Sequence, residues 1–376
     1  MTTVFVLNAG SSSIKYTVLE VEEGAVLADG IVERIGVPGG VPDHATALAT
    51  VLAEIGDRAI DAVGHRVVHG GERFTEATVI DDDVEAAIEQ LIELAPLHNP
   101  AGLAGIRAAR SALPDVPQVA VFDTAFHATI PVEAATYAID ADLAARHGIR
   151  RYGFHGTSYQ YVSRVAAETL GRPIADLRMV VLHLGNGASA AAIHGGRSVD
   201  TSMGLTPLEG LVMGTRSGDL DPAIPFQLHR VAGLSIDELD DLLNRRSGML
   251  GLSGHADMRE VIDAADAGDE RAALALEVYL HRIRHYIGAY AAVLGGLDAL
   301  VFTAGVGENS DVVRAGAVRG LEFLGIRIDP AANATRGDTA RVISAAGSGV
   351  AVMVVPTDEE LEIARQTVGR IGEVPG

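Results

Sequence analysis

The sequence predicts an α/β protein of two lobes with a duplicated core. Short apolar runs that end in Gly, Asn or Asp alternate with amphipathic stretches, which is typical of α/β folds. The 376 residues exceed one domain of roughly 100 to 200 residues. Two stretches, 4–19 and 179–194, share one pattern: an apolar strand, a turn of small polar residues and a second apolar strand. We therefore predict an internal duplication, with one such hairpin in each lobe and both turns facing a shared cleft.

The first hairpin carries the only lysine among the 29 Lys and Arg residues. Lys15 follows Gly10, Ser11, Ser12 and Ser13. Backbone amides and hydroxyls of such a turn can bind phosphate oxygens, and an ammonium group adds a compact, movable charge. We predict a phosphate site here; the alternative is a surface hairpin with an incidental lysine.

Further strands and helices follow along the first half. Apolar runs predict strands over 61–71 and 116–123, and amphipathic spacing predicts helices over 84–94 and 141–147. The segment 36–43 is a Gly- and Pro-rich loop. Asp123 ends a buried strand, and open α/β sheets place their polar chemistry at such ends.

The second half contains a long helix and a further glycine-rich segment. The helix is predicted over 270–294, and its tyrosines are expected in a core or an interface. It leads to a strand from Ala299 that opens onto a Gly-rich turn before a helix near Val312, a third candidate phosphate loop. The apolar positions that predict the long helix are Leu274, Val278, Ile283, Ile287, Tyr290 and Leu294.

Composition excludes several classes of function. A net charge of −21 disfavours binding to nucleic acid. The absence of cysteine excludes disulfides, thiolate metal sites and thiol nucleophiles. No apolar run approaches the ~18 residues that span a bilayer, and residues 1–8 lack the features of a signal peptide. We expect a cytoplasmic protein with small-molecule substrates and no membrane partner.

The sequence context argues against three common motifs: a dinucleotide fingerprint, a Walker loop and a zinc-binding helix. The spacing of 185–190, with Asp200 downstream, matches a dinucleotide fingerprint, but 188–193 is predicted as a returning strand and not as a helix. No Walker loop precedes Lys15. His65 and His69 lie on a predicted strand with no Glu after His65, which argues against a zinc helix.

Several charged residues nevertheless lie where phosphate chemistry needs them. Arg66, at a strand end before two glycines, fits either an anion-binding role or a structural salt bridge. Asp123 and His155 could each act as helix caps, and Arg216 lies in a turn with Asp219 and Asp221. Two arginines, a histidine, carboxylates and three Gly-rich segments together favour phosphoryl transfer.

Taken together, the motifs of this chain resemble those of the acetate kinase (acetokinase) family, within the superfamily of acetate and sugar kinases, heat-shock ATPases and actin. The resemblance implies a two-lobed, actin-like ATPase (ribonuclease H-like) fold with a central cleft. It implies an N-terminal lobe of 1–128 plus 359–376, completed by the C-terminal helix, and a nucleotide-binding lobe of 129–358. The matching motifs, in chain order, are 8–15, 65–71, 122–127, 152–158, 183–187, 201–204, 214–219 and 305–309.

The resemblance also implies the reaction: reversible, Mg²⁺-dependent, direct in-line transfer of the γ-phosphoryl group of ATP to acetate, which gives acetyl phosphate and ADP. Mn²⁺ is expected to substitute for Mg²⁺. Arg66 and Arg216 would bind acetate and the moving phosphoryl group, and His155 would stabilise the transition state. Asp123 would position an arginine or a metal-bound water, since ionised acetate needs no base.

The remaining roles implied by the resemblance concern the metal, the nucleotide and the acetate methyl group. Asn8 and Glu359 would hold Mg²⁺ directly or through water. Ser11, Ser13 and Lys15 would contact the phosphates. The other nucleotide contacts would be His183, Leu184, Gly185, Asn186, Gly187, Asp257, Met258, Arg259, Gly305, Val306, Gly307, Glu308 and Asn309. The methyl group would lie against Val68, Leu97, Phe154 and Pro207.

Two alternatives and two departures accompany the resemblance. The chain could instead be a propionate kinase, or a non-catalytic ATP-binding protein of the same superfamily. Tyr159 stands where the family usually has a histidine, and the loop 36–43 is shorter than usual. The resemblance further implies a homodimer and closure of the lobes around the nucleotide.

Overall fold

The structure is a computed structural model that describes residues 1–56, 58–96 and 98–372. The chain divides into two compact units. The first contains Met1–Ala128, Phe154–Tyr161 and the chain from Asp358 onward; the second contains Thr129–Gly153 and Val162–Thr357. Residues 154–161 and Asp358, which the sequence analysis assigned to the C-terminal lobe, therefore group with the first unit.

Among the described residues, each unit contains one six-stranded sheet. The strands of the first sheet are β1 Thr3–Ala9, β2 Ser13–Glu20, β3 Ala25–Glu33, β4 Ala62–Val67, β5 Thr78–Val79 and β6 Gln118–Phe122. The strands of the second are β7 Arg178–Leu184, β8 Ala188–His194, β9 Arg197–Thr201, β10 Ala299–Thr303, β11 Arg341–Val342 and β12 Ala351–Val354.

Helices cover these sheets and connect their strands. In chain order they are α1 His44–Ile55, α2 Asp82–Gln90, α3 Asn99–Ala112, α4 Val132–Ala135, α5 Ala141–Arg146, α6 Gly156–Leu170, α7 Ala223–Ala232, α8 Ile236–Arg245, α9 Gly248–Ser253, α10 Met258–Asp266, α11 Glu270–Val293, α12 Ala304–Asn309, α13 Asp311–Val318, α14 Pro330–Ala334 and α15 Glu359–Gly372. Short 3₁₀ helices lie at Leu91–Glu93, Ala125–Thr129, Ile174–Asp176 and Glu322–Leu324.

The two sheets share one topology. Their strand orders are β3-β2-β1-β4-β6-β5 and β9-β8-β7-β10-β12-β11. In both orders, the first three strands are antiparallel neighbours. The next two strands run parallel to the strand before them: β4 and β6 follow β1, and β10 and β12 follow β7. The edge strand, β5 or β11, is antiparallel to its neighbour. The predicted α/β class and duplicated core are confirmed, and both predicted hairpins are present.

Helix α15 packs closely on one face of the first sheet. Its Leu361, Ile363 and Ala364 share a core cluster with residues of β1 and β6. The closest approach is at Gly64 of β4, where a Cβ atom would lie 2.6 Å from Thr367 Oγ1 and 2.8 Å from Ile363 Cγ2. Glycine at this position therefore allows the helix to approach the sheet, and this contact fixes where α15 begins.

Helix α11 confirms the predicted long helix but not its predicted buried face. Leu274 is 62% exposed and Val278 is 36% exposed, whereas Ile283 and Ile287 are fully buried. In the N-terminal half, the small side chains of Ala272 and Ala275 are buried instead. Small residues allow neighbouring elements to pack closely, so the packed face near the start of the helix passes through these alanines and leaves Leu274 and Val278 outside.

The Gly-rich turn predicted after Ala299–Thr303 is wrong, because Ala304–Asn309 forms the short helix α12. Ala304 takes the left-handed backbone conformation (φ 63°), which turns the chain sharply out of β10. The Glu308 carboxylate accepts the N–H groups of Ala304 (2.7 Å) and Thr357 (3.0 Å). The buried Arg314 donates to the carbonyls of Gly307 and Glu308. These contacts convert a glycine-rich sequence into a capped helix.

Among the described residues, no helix combines the length and apolar character required to cross a membrane.

Candidate active site

The carboxyl ends of β4 and β6 bring Arg66 and Asp123 together. The two strands are parallel neighbours, with Val67 opposite Phe122. Arg66 Nε donates to Asp123 Oδ1 at 3.0 Å, and Arg66 Nη2 donates to Oδ2 at 2.7 Å. Asp123 is buried, and its backbone N–H donates to the Val67 carbonyl at 3.0 Å. This bidentate pair fixes the plane of the guanidinium.

The start of α15 adds acidic residues to this pair. Glu359 Oε2 lies 3.9 Å from Arg66 Nε, and Glu360 pairs with Lys15. Burial raises the pKa of Glu359; the charges of Asp123 and Glu360 act in the same direction, against Arg66 and Lys15. Burial opposes the charge on Arg66, but Asp123 and Glu359 outweigh it, so the pKa of Arg66 is raised.

The predicted magnesium ligands are Asn8 and Glu359. Glu359 and the Asn8 amide, at the end of β1, offer the oxygen ligands that Mg²⁺ prefers. Within residues 1–56, 58–96 and 98–372, no group of three or more His, Asp or Glu side chains is arranged to hold a metal ion. Since Mg²⁺ usually keeps several waters and binds one or two protein carboxylates together with substrate phosphates, the donor set matches that mode of binding.

His155 lies in a strained segment that is fixed against Asp123. Its φ is 59°, a left-handed conformation that non-glycine residues rarely adopt. The next residue, Gly156, donates its N–H to the Asp123 carbonyl at 2.8 Å, and a Cβ there would lie 2.3 Å from that oxygen. Backbone strain of this kind persists where surrounding contacts hold it.

Phe154 and Val68 lie in the same unit as Arg66. Phe154 is buried, and its ring meets the His69 ring edge-on at 5.6 Å. Its carbonyl oxygen accepts the N–H of His127 Nε2 at 2.9 Å. Val68 directly precedes His69 and is partly buried. Leu97, the other predicted pocket residue of this part of the chain, lies outside the described residues.

Tyr159 serves as a core residue. It is fully buried, with its ring stacked on Phe126 and edge-on to His127. The phenol ring at this position therefore packs against His127, whose Nε2 bonds to the Phe154 carbonyl.

The turn of the first hairpin leaves Ser11 and Lys15 exposed. Gly10 N donates to the Ser13 carbonyl at 2.7 Å, and His44 Nε2 bonds to the Gly10 carbonyl at 2.9 Å. These two bonds hold the backbone of the turn at Gly10, while Ser11 stays exposed to solvent.

In the second unit, Arg216 lies in the irregular segment between β9 and α7. Its Nη1 donates to the Pro207 carbonyl at 2.6 Å. It forms no ion pair with a described carboxylate of its unit, and burial lowers the pKa of its guanidinium. Asp219 accepts from Gly210 N and from the Tyr286 hydroxyl, both at 2.8 Å, and so closes the segment. Asp221 caps α7 through Ala223 N.

A cavity of about 810 Å³ lies in the second unit and unites three predicted nucleotide segments. It is lined by Gly185 and Asn186 from the β7–β8 turn, by Asp257–Arg259 at the start of α10, and by Gly305, Val306 and Asn309 of α12. The size suits a nucleoside. His183, Leu184, Gly187, Gly307 and Glu308 are not among its lining residues.

These five residues belong to the strand, turn and helix that carry lining residues of the cavity or lead into them. Gly185 N donates to the Gly187 carbonyl at 3.1 Å, which closes the β7–β8 turn. His183 and Leu184 are buried in β7, with His183 opposite Thr303 of β10. Gly307 and Glu308 belong to the capped helix α12.

Comparison with known proteins identifies the family. The sequence profile of the Acetokinase family matches residues 3–365. The chain belongs to the acetokinase family. An acetate kinase of Leifsonia xyli subsp. xyli is 59% identical to it, with 98% of each chain aligned.

Solved acetokinase structures have the same fold as this chain. The crystal structure of Porphyromonas gingivalis acetate kinase superposes with a TM-score of 0.95 at 46% identity and covers 99% of this chain and 100% of its own. The structure of a propionate kinase from Francisella tularensis subsp. tularensis gives a TM-score of 0.93 at 41% identity and covers 98% and 100%.

This acetokinase contains cavity residues that the sequence analysis did not assign to the nucleotide. The Tyr279 hydroxyl is buried and has no hydrogen-bond partner among the described residues, although the residue lines the cavity. Gly214 is so close to Asn186 that a Cβ would lie 2.1 Å from its Oδ1. No local pattern distinguished Tyr279 from the other tyrosines of α11. The further lining residues include Met249, Ala256, Ile262, Val312 and Arg336.

Proposed function

We propose that this chain is an acetate kinase that transfers the γ-phosphoryl group of ATP reversibly to acetate. The proposal rests on one observation: the family match extends over residues 3–365, and the motifs that contain Arg66, Asp123, His155 and Arg216 are all retained. Nucleotide binding alone would not require two arginines in addition to the cavity of the second unit.

The proposed reaction needs alignment and charge neutralisation. A carboxylate oxygen of acetate attacks the γ-phosphorus, the bond to the β–γ bridging oxygen breaks, and ADP leaves with that electron pair. Acetate is ionised at neutral pH, so no proton has to be removed. Arg66 and Arg216 bind the acetate carboxylate and the transferring phosphoryl group, and His155 donates a hydrogen bond to the transition state.

Asp123 acts in this scheme as a positioning group and not as a base. Its two oxygens accept from Nε and Nη2 of Arg66 and hold the guanidinium in one plane. The remaining donors of Arg66 are then directed at the anionic substrate.

Magnesium supplies positive charge that offsets repulsion between the nucleotide phosphates and acetate. Asn8 and Glu359 are the proposed ligands, directly or through water, and Mn²⁺ is expected to replace Mg²⁺. Ser11, Ser13 and Lys15 bind the phosphates, which requires Lys15 to exchange Glu360 for a phosphate oxygen. The nucleotide is bound by the segments 183–187, 257–259 and 305–309, through those of their residues that line the cavity of the second unit. Val68, Leu97, Phe154 and Pro207 contact the methyl group.

The function is tested by trapping acetyl phosphate as its hydroxamate. Purified protein with ATP, Mg²⁺ and acetate should produce hydroxamate, and omission of acetate or Mg²⁺ should abolish it. ADP with acetyl phosphate should give ATP in the reverse assay. A pure, folded protein that binds ATP but forms no hydroxamate would show that the chain is a non-catalytic member of its family.

A propionate kinase is the second candidate, favoured by the structural similarity to the Francisella tularensis propionate kinase. One methylene in an apolar pocket is worth only about 1–3 kcal/mol, so both acids are expected to react. The ratio of kcat/KM for acetate, propionate and butyrate decides between them. A ratio in favour of propionate would replace acetate as the proposed substrate.

We also propose a cytoplasmic homodimer. Its co-substrate, ATP, is the basis for the cytoplasmic assignment, which cell fractionation tests. Helix α7 has no buried residue, and its Phe226 and Val231 are 60% and 75% exposed, which fits a surface covered by a second copy. Sedimentation equilibrium should give a dimer that Phe226→Glu weakens; a monomeric wild-type protein would refute the dimer.

A further inference from the structure

A buried polar cluster surrounds the segment that precedes Arg216. Arg151 Nη1 donates to three successive carbonyls, those of Thr201 (3.0 Å), Ser202 (3.3 Å) and Met203 (3.1 Å). Its Nη2 donates to Glu209 Oε1 at 2.6 Å. One guanidinium thus holds both the beginning and the end of 201–209.

Tyr137 completes this cluster. Its hydroxyl donates to Glu209 Oε2 and accepts the N–H of Leu205 at 3.1 Å. The Arg151 guanidinium lies over the Tyr137 ring at 5.5 Å. Burial, reinforced by Glu209, raises the pKa of the Tyr137 phenol, so the group stays neutral and keeps its donor proton. We call Tyr137, Arg151 and Glu209 the 137/151/209 clamp.

The fit of the clamp is tight. A Cβ at Gly204 would lie 1.9 Å from the Tyr137 hydroxyl oxygen and 2.0 Å from Glu209 Oε2. The Gly204 carbonyl accepts the N–H groups of Tyr152 (3.1 Å) and Gly153 (3.3 Å). The segment is therefore bonded on its backbone as well as through the clamp, and few alternative positions remain for it.

The clamp lies on both sides of the carbonyl that binds Arg216. Leu205 and Glu209, which bond to Tyr137 and Arg151, are each two residues from Pro207. The Pro207 carbonyl oxygen lies 2.6 Å from Arg216 Nη1, and no carboxylate among the described residues of the unit forms an ion pair with this guanidinium. The position of the Pro207 carbonyl therefore determines where the guanidinium lies.

We propose that Tyr137, Arg151 and Glu209 are positioning residues for Arg216, acting through the segment Thr201–Glu209 and the Pro207 carbonyl. This inference rests on the proposed function, in which Arg216 binds acetate and the transferring phosphoryl group. The two arginines are then oriented differently: Arg66 by a carboxylate it contacts, and Arg216 by a carbonyl that the clamp holds.

The nucleotide cavity should be insensitive to the clamp. Gly214, which lines it, is bonded to the Asn186 carbonyl at 3.0 Å, and Met213 is bonded to the Arg216 carbonyl at 3.1 Å. These backbone bonds do not involve the clamp. Loosening the Pro207 carbonyl should therefore disturb the acetate side of the reaction and leave ATP binding unchanged.

The test is Tyr137→Phe, which removes one hydroxyl and keeps the ring. We expect the KM for acetate to rise about tenfold and kcat to fall, because small misplacements of a catalytic group are costly, while the KM for ATP stays the same. Glu209→Gln provides a second variant that keeps the shape of the side chain. The matched control is Tyr16→Phe, which removes a hydroxyl bonded to Glu54 at 2.8 Å in the first unit.

A double-mutant cycle separates positioning from general stability. If the clamp acts through Arg216, Tyr137→Phe should have little further effect on kcat/KM in an Arg216→Lys background, whereas independent effects would multiply. Equal rises in both KM values, multiplicative effects, or behaviour like Tyr16→Phe would each overturn the inference. An inactive wild-type protein would refute the proposed function instead, so the two failures are distinguishable.

Discussion

Arg66 and Arg216 differ in how their charge is balanced. Arg66 is paired with the buried Asp123, whereas Arg216 is bonded to a carbonyl and forms no ion pair with a described carboxylate of its unit. Removing one member of a buried ion pair leaves the other uncompensated, but removing an arginine bound only to a carbonyl does not. Replacing either arginine should therefore cause a similar loss of activity, but replacing Arg66 should cause a larger loss of stability than replacing Arg216.

We expect Arg66→Ala and Arg216→Ala each to lower kcat/KM by at least about 10²- to 10³-fold. Arg66→Ala should also lower the free energy of unfolding by about 3–5 kcal/mol, because Asp123 loses its partner. Arg216→Ala should lower it by only about 1 kcal/mol through the lost hydrogen bond. Urea titrations and hydroxamate assays measure both quantities. Equal destabilisation by the two variants would contradict this difference in charge balance between Arg66 and Arg216.

Glu359 should make the magnesium-free protein sensitive to pH. Because burial raises its folded-state pKa above the ordinary value of 4.5, Glu359 favours folding while protonated. This contribution is complete below pH 4.5 and is lost as the pH rises through the folded-state pKa. Glu359→Gln should therefore have a higher free energy of unfolding than wild type at alkaline pH, with the difference vanishing toward pH 4.5.

The measurement is urea unfolding across this pH range in the presence of a chelator. The exposed Glu133→Gln serves as the control and should show no such pH-dependent difference. A Glu359→Gln variant less stable than wild type at high pH would mean that Arg66 and Lys15, and not burial, dominate at this site.

At the scale of elements, the contact between β4 and α15 determines where Glu359 lies. The helix rests on Gly64, opposite Thr367 and Ile363. Overpacking a close contact typically costs about 1–3 kcal/mol and shifts the backbone. Since α15 begins at Glu359, a shift of this helix should affect activity as well as stability.

We expect Gly64→Ala to lower the free energy of unfolding by about 1–3 kcal/mol and to reduce kcat. Gly369→Ala on the same helix is the matched control: a Cβ there meets nothing within 4 Å, and alanine should stabilise the helix by about 0.8–1.0 kcal/mol. Thermal unfolding and the hydroxamate assay measure both effects. If Gly64→Ala behaves like Gly369→Ala, the close packing of α15 is not what positions Glu359.

Elements with local signals were predictable from the sequence, and those built by distant contacts were not. Both hairpins, β6 and α11 follow from apolar periodicity within single segments. Helix α12 was predicted as a turn because its stability depends on Glu308 and on Arg314, which lies in the next helix. The exposed Leu274 and the cavity residue Tyr279 likewise depend on which face of α11 packs, and periodicity alone gave the wrong face near its start.

At the scale of the whole molecule, one sheet topology supports two kinds of site. In the first unit, the ends of β4 and β6 hold the charged pair Arg66 and Asp123. In the second, the end of β10 leads into α12, which lines the cavity proposed to bind the nucleotide. The matching hairpins indicated the duplication, but the order of the remaining strands rests on pairings between residues far apart in the chain.

Two buried histidines should make the folded molecule sensitive to acid. Burial lowers the pKa of His65 and of His127 from 6.5 to about 4. Both therefore stabilise the fold above pH 6.5, and this contribution is lost as the pH falls toward 4, at up to about 1.4 kcal/mol per pH unit for each. His127→Gln should flatten the pH dependence of the unfolding free energy over this range.

The control for this prediction is His147→Gln, since His147 is exposed. It should keep the wild-type slope in urea titrations between pH 6.5 and about 4. An unchanged slope for His127→Gln would show that the imidazole takes up its proton over the same pH range in the folded and unfolded states.

The single lysine has a practical consequence for spectroscopy and labelling. Lys15 carries the only side-chain amine, its side chain is 55% exposed, and cysteine is absent. Reductive ¹³C-methylation should therefore introduce one side-chain probe, next to the serine-rich turn, besides any probe at the N-terminal amine. Its chemical shift would report whether Lys15 leaves Glu360 when ATP is added, and so allow phosphate occupancy to be followed without mutation.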